Sequence, residues 1–242
     1  MNAAAALLIW AAMSAGPQAP AAPATPPSRF GIEDNSFLVE EALNQERGIF
    51  QNIFVATRSR DGGWTGSFTQ EWPLGGQRHQ FSYTVPFSRA GGAGDIGDVF
   101  VNYRVQVWDG GDARPAFSPR LSWSRSAWQI NLPFSKEVDR FYFHANAGNT
   151  WADDRSTPFV AGSAIFAARP MLNLMLEIYN EWRPHPSGHR RATTVSPGLR
   201  GGWNIGDAQF ILGVAAPITR GAIRDHGVLG YLSYELPFSK NR

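Results

Sequence analysis

The chain has 242 residues and a mass of 26.6 kDa, room for one large domain or two small ones. Its 16 Phe, 9 Trp and 6 Tyr are too many for a disordered chain, and the absence of Cys excludes disulfides, thiolate metal sites, a cysteine nucleophile and a lipobox anchor. Lys and Arg exceed Asp and Glu by only 22 to 20, a charge of +2 that gives no case for a nucleic-acid partner.

In chain order, Ala3 to Met13 is an unbroken apolar run, followed by small residues and proline from Ser14. That is the length and order of an export signal with a cleavage zone near Ala19 to Ala24. The first basic residue is Arg29, so the usual positive start is missing. Residues 1–27 read as a signal peptide and a Pro/Ala-rich linker, and 28–47 as a separate N-terminal segment. Within it, Leu38, Ala42 and the pair Glu40–Glu41 give a short amphipathic helix before the first strand.

From residue 48 the hydrophobic pattern has a period of two. Phe81, Tyr83, Val85 and Phe87 alternate with Gln80, Ser82 and Thr84. Val101, Tyr103 and Val105 alternate with Asn102, Arg104 and Gln106, and Leu172, Leu174, Leu176 and Ile178 with Asn173 and Glu177. About twelve such segments run to residue 238, each of roughly 9–13 residues, where a tilted strand needs about 9–11 to cross a bilayer. Turn sequences such as Arg60-Asp61-Gly62-Gly63, Asp109-Gly110-Gly111-Asp112 and Ser135-Lys136-Glu137 separate them. No connection has room for a crossover helix, so the strands are antiparallel neighbours.

A soluble sandwich and a membrane barrel both alternate, with opposite meanings. Long, even-numbered strands with aromatics near their ends (Trp64, Trp72, Phe117, Phe134, Phe141, Phe238) favour the barrel. Closure also removes the two long edges that an open sheet would expose. The expected fold is therefore all-β: a closed antiparallel transmembrane β-barrel of about 12 strands over 48–238, with a tail at 239–242, in a Gram-negative outer membrane. The N-terminal segment then either plugs the lumen or latches the seam. The alternation Gly230 to Phe238 resembles the C-terminal signal that barrel-insertion machinery reads.

On this reading the polar parity lines the interior. Its acids are Glu71, Asp98, Glu177, Glu181 and Glu235, and its bases Arg104, Arg120 and Arg200. Asn102, Tyr142, His144 and Asn146 add neutral hydrogen-bonding groups. Arg200 is placed to pair with Glu177 and Glu181, and Arg104 and Arg120 form a small basic ladder on adjacent strands. Together these residues line a solute path or, alternatively, fill a narrow barrel with an internal ion-pair network. The outer loops hold ten Arg, among them Arg58, Arg89, Arg191 and Arg220, against five Asp, which suits lipopolysaccharide phosphates as well as ordinary soluble loops.

Catalysis and metals find little support. No Gly-x-Ser-x-Gly elbow occurs, and Glu177 and Glu181 stand about 13 Å apart on one strand, too far for glycoside chemistry. His185 and His189 lie among Pro184, Pro186 and Gly188, which forbid the helix that would put both on one face. No enzyme activity, cofactor or metal is expected.

Four motifs carry a family resemblance. Asn35 to Glu46 resembles the N-terminal motif of outer-membrane proteins assigned to transport in the meta-pathway of phenol degradation. Gly94-Asp95-Ile96-Gly97-Asp98-Val99, with Asn102-Tyr103-Arg104, resembles that family's Gly-Asp strand opening, and Ser118 to Leu121 and Val195 to Arg200 resemble later strands. The resemblance covers about 33–238 and implies an outer-membrane barrel with a transport role. The expected function is a channel or transporter-like barrel passing a small solute, aromatic or amphipathic in character. The alternatives are a structural barrel without flux and a soluble secreted β-protein that binds ligand through its aromatics.

Overall fold

The computed structural model describes Ile32 and residues 34–238; the expected signal segment and C-terminal tail lie outside the described residues. The chain forms a closed antiparallel barrel of twelve strands. They are β1 (Ile49–Ser59), β2 (Trp64–Pro73), β3 (His79–Ala90), β4 (Ala93–Ile96, Phe100–Val105 and Trp108–Asp109), β5 (Ala116–Phe117 and Arg120–Trp123) and β6 (Ala127–Val138). The second half holds β7 (Phe141–Ala152), β8 (Arg155–Arg169), β9 (Leu172–His185), β10 (Gly188–Ile205), β11 (Ala208–Ala215 and Ile218–Gly221) and β12 (Asp225–Pro237). Each strand pairs with its chain neighbours, and β12 returns to pair with β1 from Ile49↔Pro237 to Ser59↔Gly227. That seam leaves no open edge.

Tight turns make this possible. Gly91 and Gly92 both have positive φ, as do Asp153 and Asp154, so two-residue connections match the twist of their flanking strands. Ser135-Lys136-Glu137, expected as a turn, instead continues β6, and the chain reverses at Asp139, whose φ is 53°. The alternation through Leu132 and Phe134 simply extends to Val138.

The barrel is inside-out relative to a soluble domain. On β9, Leu176 is 54% exposed on the outward face while Glu177, its chain neighbour, is 1% exposed inside. Leu174, Leu212 and Val228 share the outward face; Gln80, Asn102, Asn131 and Ser233 share the buried one. Aromatic rings gather at both rims outside. Phe50, Trp72 and Phe238 cluster at the rim nearest the two ends of the barrel chain, as do Phe117 and Phe134. Trp128 stacks on Trp151 at 3.8 Å near the opposite rim. One outward polar cluster breaks the pattern: Gln70 donates to Asn52 at 2.7 Å and accepts from Tyr83 and Trp72, while the Asn52 amide nitrogen has no partner.

Prolines mark the irregular strands. Pro86 on β3 has no N–H for the ladder, and three residues of β4 (97–99) face two of β3 there, a bulge that slips the register by one. This moves Asp98 off the parity it would share with Asn102 and Arg104. Pro217 similarly divides β11 without changing its register.

The N-terminal segment is not a helix. Residues 34–46 run through the lumen as irregular chain. The lumen wall, described next, supplies the hydrogen-bond partners that a helix would have found within itself.

Candidate functional site

The polar interior meets the N-terminal segment along its whole described length. Glu177 on β9 accepts the N–H groups of Leu38 and Val39 at 2.8 and 3.2 Å through one carboxylate oxygen. Asn146 on β7 clasps Glu40 from both sides, accepting its N–H at 2.8 Å and donating to its carbonyl at 2.9 Å. Ser135 on β6 accepts the Ala42 N–H, Gln106 that of Asn44 and Gln80 that of Gln45, all between 2.7 and 2.9 Å. Cations take the carbonyls: Arg200 donates to Asp34 and Asn35, and Arg104 to Glu41. Buried backbone groups need partners, and here strand side chains supply them.

The segment also bridges the seam. The Asp34 carboxylate accepts from Gln51 on β1 at 2.8 Å and from Tyr231 and Ser233 on β12 at 2.7 and 2.6 Å. The Gln45 amide donates to Gln51 on β1 and to Glu235 on β12. Plug and latch, posed as alternatives by the sequence, are one element in the structure. Phe37 anchors it between these two points, with its ring 5.1 Å from that of Tyr231. It lies over Gly213 and Gly198, where an added Cβ would come within 2.3 and 2.8 Å of its ring. Inward glycines on β10 and β11 are the room that Phe37 occupies.

The candidate residues distribute as follows. Glu71 pairs with Arg104 at 3.6 Å, and Arg120 with Glu40 of the segment at 2.6 Å. Arg104 and Arg120 stand directly opposite each other in register, so the expected ladder exists, each cation with its own acid. Arg200 departs from expectation: it faces Asn173 and bonds the segment's carbonyls rather than Glu177 or Glu181. Glu181 instead pairs with Arg183, two residues along its own strand at the opposite mouth. His144 shares a 2.7 Å hydrogen bond with Ser135, whose oxygen also accepts the Ala42 N–H, so the pair serves as an anchor. Asn102 donates to Ser82 and Thr84, Tyr142 lines a cavity with His144, and Asp98 is exposed in the β4 bulge.

Sequence reasoning missed Asp34, Phe37 and Ser135, and it placed Gln80, Gln106 and Asn146 on the inward parity without their role as partners of the segment. The inward glycines Gly198 and Gly213 were the available signal, since a side-chain gap inside a strand marks close approach by something else.

The segment divides the remaining space. Toward the rim of the chain ends lies a cavity of about 630 Å³ beside Ser135, Lys136, Tyr142 and His144. On the segment's other side lies one of about 290 Å³, lined by hydroxyl and amide groups of β2 to β6. Among the described residues, no group of three His, Cys, Asp or Glu side chains is placed to hold a metal ion.

No protein-family model matches the chain, and no curated protein matches its sequence. Solved structures do match in shape. The COG4313 outer membrane channel from Pseudomonas putida F1 superposes with a TM-score of 0.55 at 10% identity, over 77% of this chain and 92% of that one. The outer membrane protein opdK from Pseudomonas aeruginosa aligns over 78% and 96% at 8% identity, with a TM-score of only 0.31. The first likeness shows the shared barrel fold; the second superposition is too loose to bear on it.

Proposed function

We propose that the protein is a Gram-negative outer-membrane channel for a small solute, its bore narrowed by its own N-terminal segment. The observation that carries this reading is the reversal of faces: a closed barrel with an apolar outside, aromatic rims and a polar inside. Such a surface suits lipid, and closure satisfies every strand edge there. The fold likeness to an outer membrane channel supports it. So does the resemblance to the phenol meta-pathway transport family, which bears on the transport role and not on the cargo.

On this reading the barrel's first and last strand ends, Ile49 and Pro237, lie on the periplasmic side, and the rim bearing Arg58, Arg89, Arg191 and Arg220 faces outward, toward lipopolysaccharide phosphates. The last strand is the one offered to the insertion machinery. Catalysis has no part in it. A second reading, a structural barrel without flux, is favoured by the dense bonding of the segment. Planar-bilayer recording of the refolded, heat-modifiable protein separates the two. Discrete conductance steps support the channel; a folded barrel without current supports the structural reading.

A further inference from the structure

At the rim opposite the barrel's first and last strand ends, charge is sorted by face. Arg58 on β1 lies directly opposite Trp64 on β2, and Trp64 directly opposite Arg89 on β3, so the three form one row across neighbouring strands. Directly opposed residues share a face, and this is the outer one, since Arg58 also opposes the exposed Val228 of β12. All three residues of the row are exposed. The nearby acids point elsewhere. Asp95 opposes Ser88 and Asp225 opposes Thr219, both on the lumen parity, and the Asp61 carboxylate accepts from Ser59 and Gly63 inside its own turn.

Among the described residues, neither Arg58 nor Arg89 forms an ion pair. At the opposite rim, by contrast, Lys136 and Arg140 donate to the carbonyls of Asp112 and Ala167. The Arg58 guanidinium lies over the Trp64 ring, 5.7 Å from its centroid, which holds it against the outer wall. An arginine on the lipid face is costly at mid-bilayer and tolerated only near the interface. The backbones of Arg58 and Arg89 stand about 10 Å apart, two strand spacings, so each guanidinium can take its own phosphate through paired N–H groups. Toward mid-barrel the wall turns apolar. Ala56 opposes Gly230, where an added Cβ would meet no atom nearer than 4.0 Å, and the exposed Phe54 and Leu232 follow, with Phe54 stacked on Phe87.

We infer that the row Arg58–Trp64–Arg89 is a binding site for the diphosphorylated glycolipid of the outer leaflet, lipid A. One phosphate meets each arginine, and the acyl chains lie on the apolar wall below. The inference rests on reading the chain as an outer-membrane barrel with this rim outward. It goes beyond that reading by assigning one site on β1 to β3, and it does not depend on flux.

Native mass spectrometry of the folded, heat-modifiable barrel in detergent tests it with diphosphoryl lipid A, monophosphoryl lipid A and phosphatidylglycerol. Diphosphoryl lipid A is expected to give a single adduct, with the other two lipids at least about tenfold weaker. Arg58→Gln with Arg89→Gln should weaken that adduct at least about tenfold. Arg114→Gln with Arg155→Gln removes the same charge elsewhere, Arg114 also lying over a ring, that of Trp108 at 5.9 Å, and should change nothing. Equal binding of phosphatidylglycerol, an unchanged adduct in the first double variant, or an equal loss in the second would each overturn the site. Labelling of Arg60→Cys on intact cells by a membrane-impermeant maleimide tests the orientation separately. Labelling without lipid A binding keeps the orientation and removes the site, whereas binding without labelling removes the outer-leaflet placement and the site with it.

Discussion

The two sides of the lumen use the same kinds of residue for different ends. On the wall of β6, β7 and β9, Ser135, Asn146 and Glu177 point their oxygens at backbone N–H groups of the N-terminal segment. On the wall of β2 to β5, Gln80, Arg104 and Arg120 also hold the segment, but Thr69 and Thr84 bond each other and the buried Ser122 hydroxyl has no protein partner. The first wall is given over to peptide, whereas the second holds it in part and spends its remaining hydroxyls on its own strands. Polar residues inside a barrel are therefore not by themselves a solute path. What distinguishes the walls is which partner their side chains already hold.

The largest way to break this comparison is to remove the segment. A chain lacking residues 34–46 should show severalfold higher single-channel conductance, since the bore then depends on the strands alone. Next comes Asp34→Ala. It leaves Tyr231 and Ser233 without their acceptor, at about 1–3 kcal/mol for each buried group. The temperature of the gel-mobility shift should fall by about 10 °C. Gly213→Val should act more locally. Its Cβ needs the space of the Phe37 ring, so conductance should become noisy and intermediate while the barrel still folds.

Glu177 sharpens the contrast between charge and hydrogen bonding. Glu177→Gln keeps an oxygen for Leu38 and Val39 and should leave conductance close to normal, whereas Glu177→Ala should loosen the segment. Glu181→Gln should have the smallest effect. The residue sits at the mouth, paired with Arg183, and its neutralisation should move the reversal potential slightly away from cation preference.

Much of the barrel was legible because alternation is a property of side chains. The period of two along Leu172 to Ile178 placed Glu177 inside and Leu176 outside without knowledge of any neighbour. Asp98 fails that rule because one extra residue at the β4 bulge resets parity, and Pro86, its cause, lies on another strand. The path of the N-terminal segment was less legible. Its recognition works through backbone N–H and C=O groups, which every sequence carries. The spacing of Leu38 and Ala42 fits a helix, but the helix loses to a wall that bonds the same N–H groups. Arg200 was correctly placed inside and wrongly partnered, since Asp34 and Asn35 offer carbonyls nearer than the carboxylates of β9.

The central claim is that the N-terminal segment resides in the lumen. Ser36 and Ser163 on β8 test it directly, because their hydroxyl oxygens lie 2.6 Å apart. The natural chain has no Cys, so Ser36→Cys with Ser163→Cys introduces the only thiols. Mild oxidation of the folded double variant should form an intrachain disulfide, read as a loss of two hydrogens by mass, with quieter current than after reduction. Two thiols that stay free in the oxidised, heat-modifiable barrel would contradict the claim.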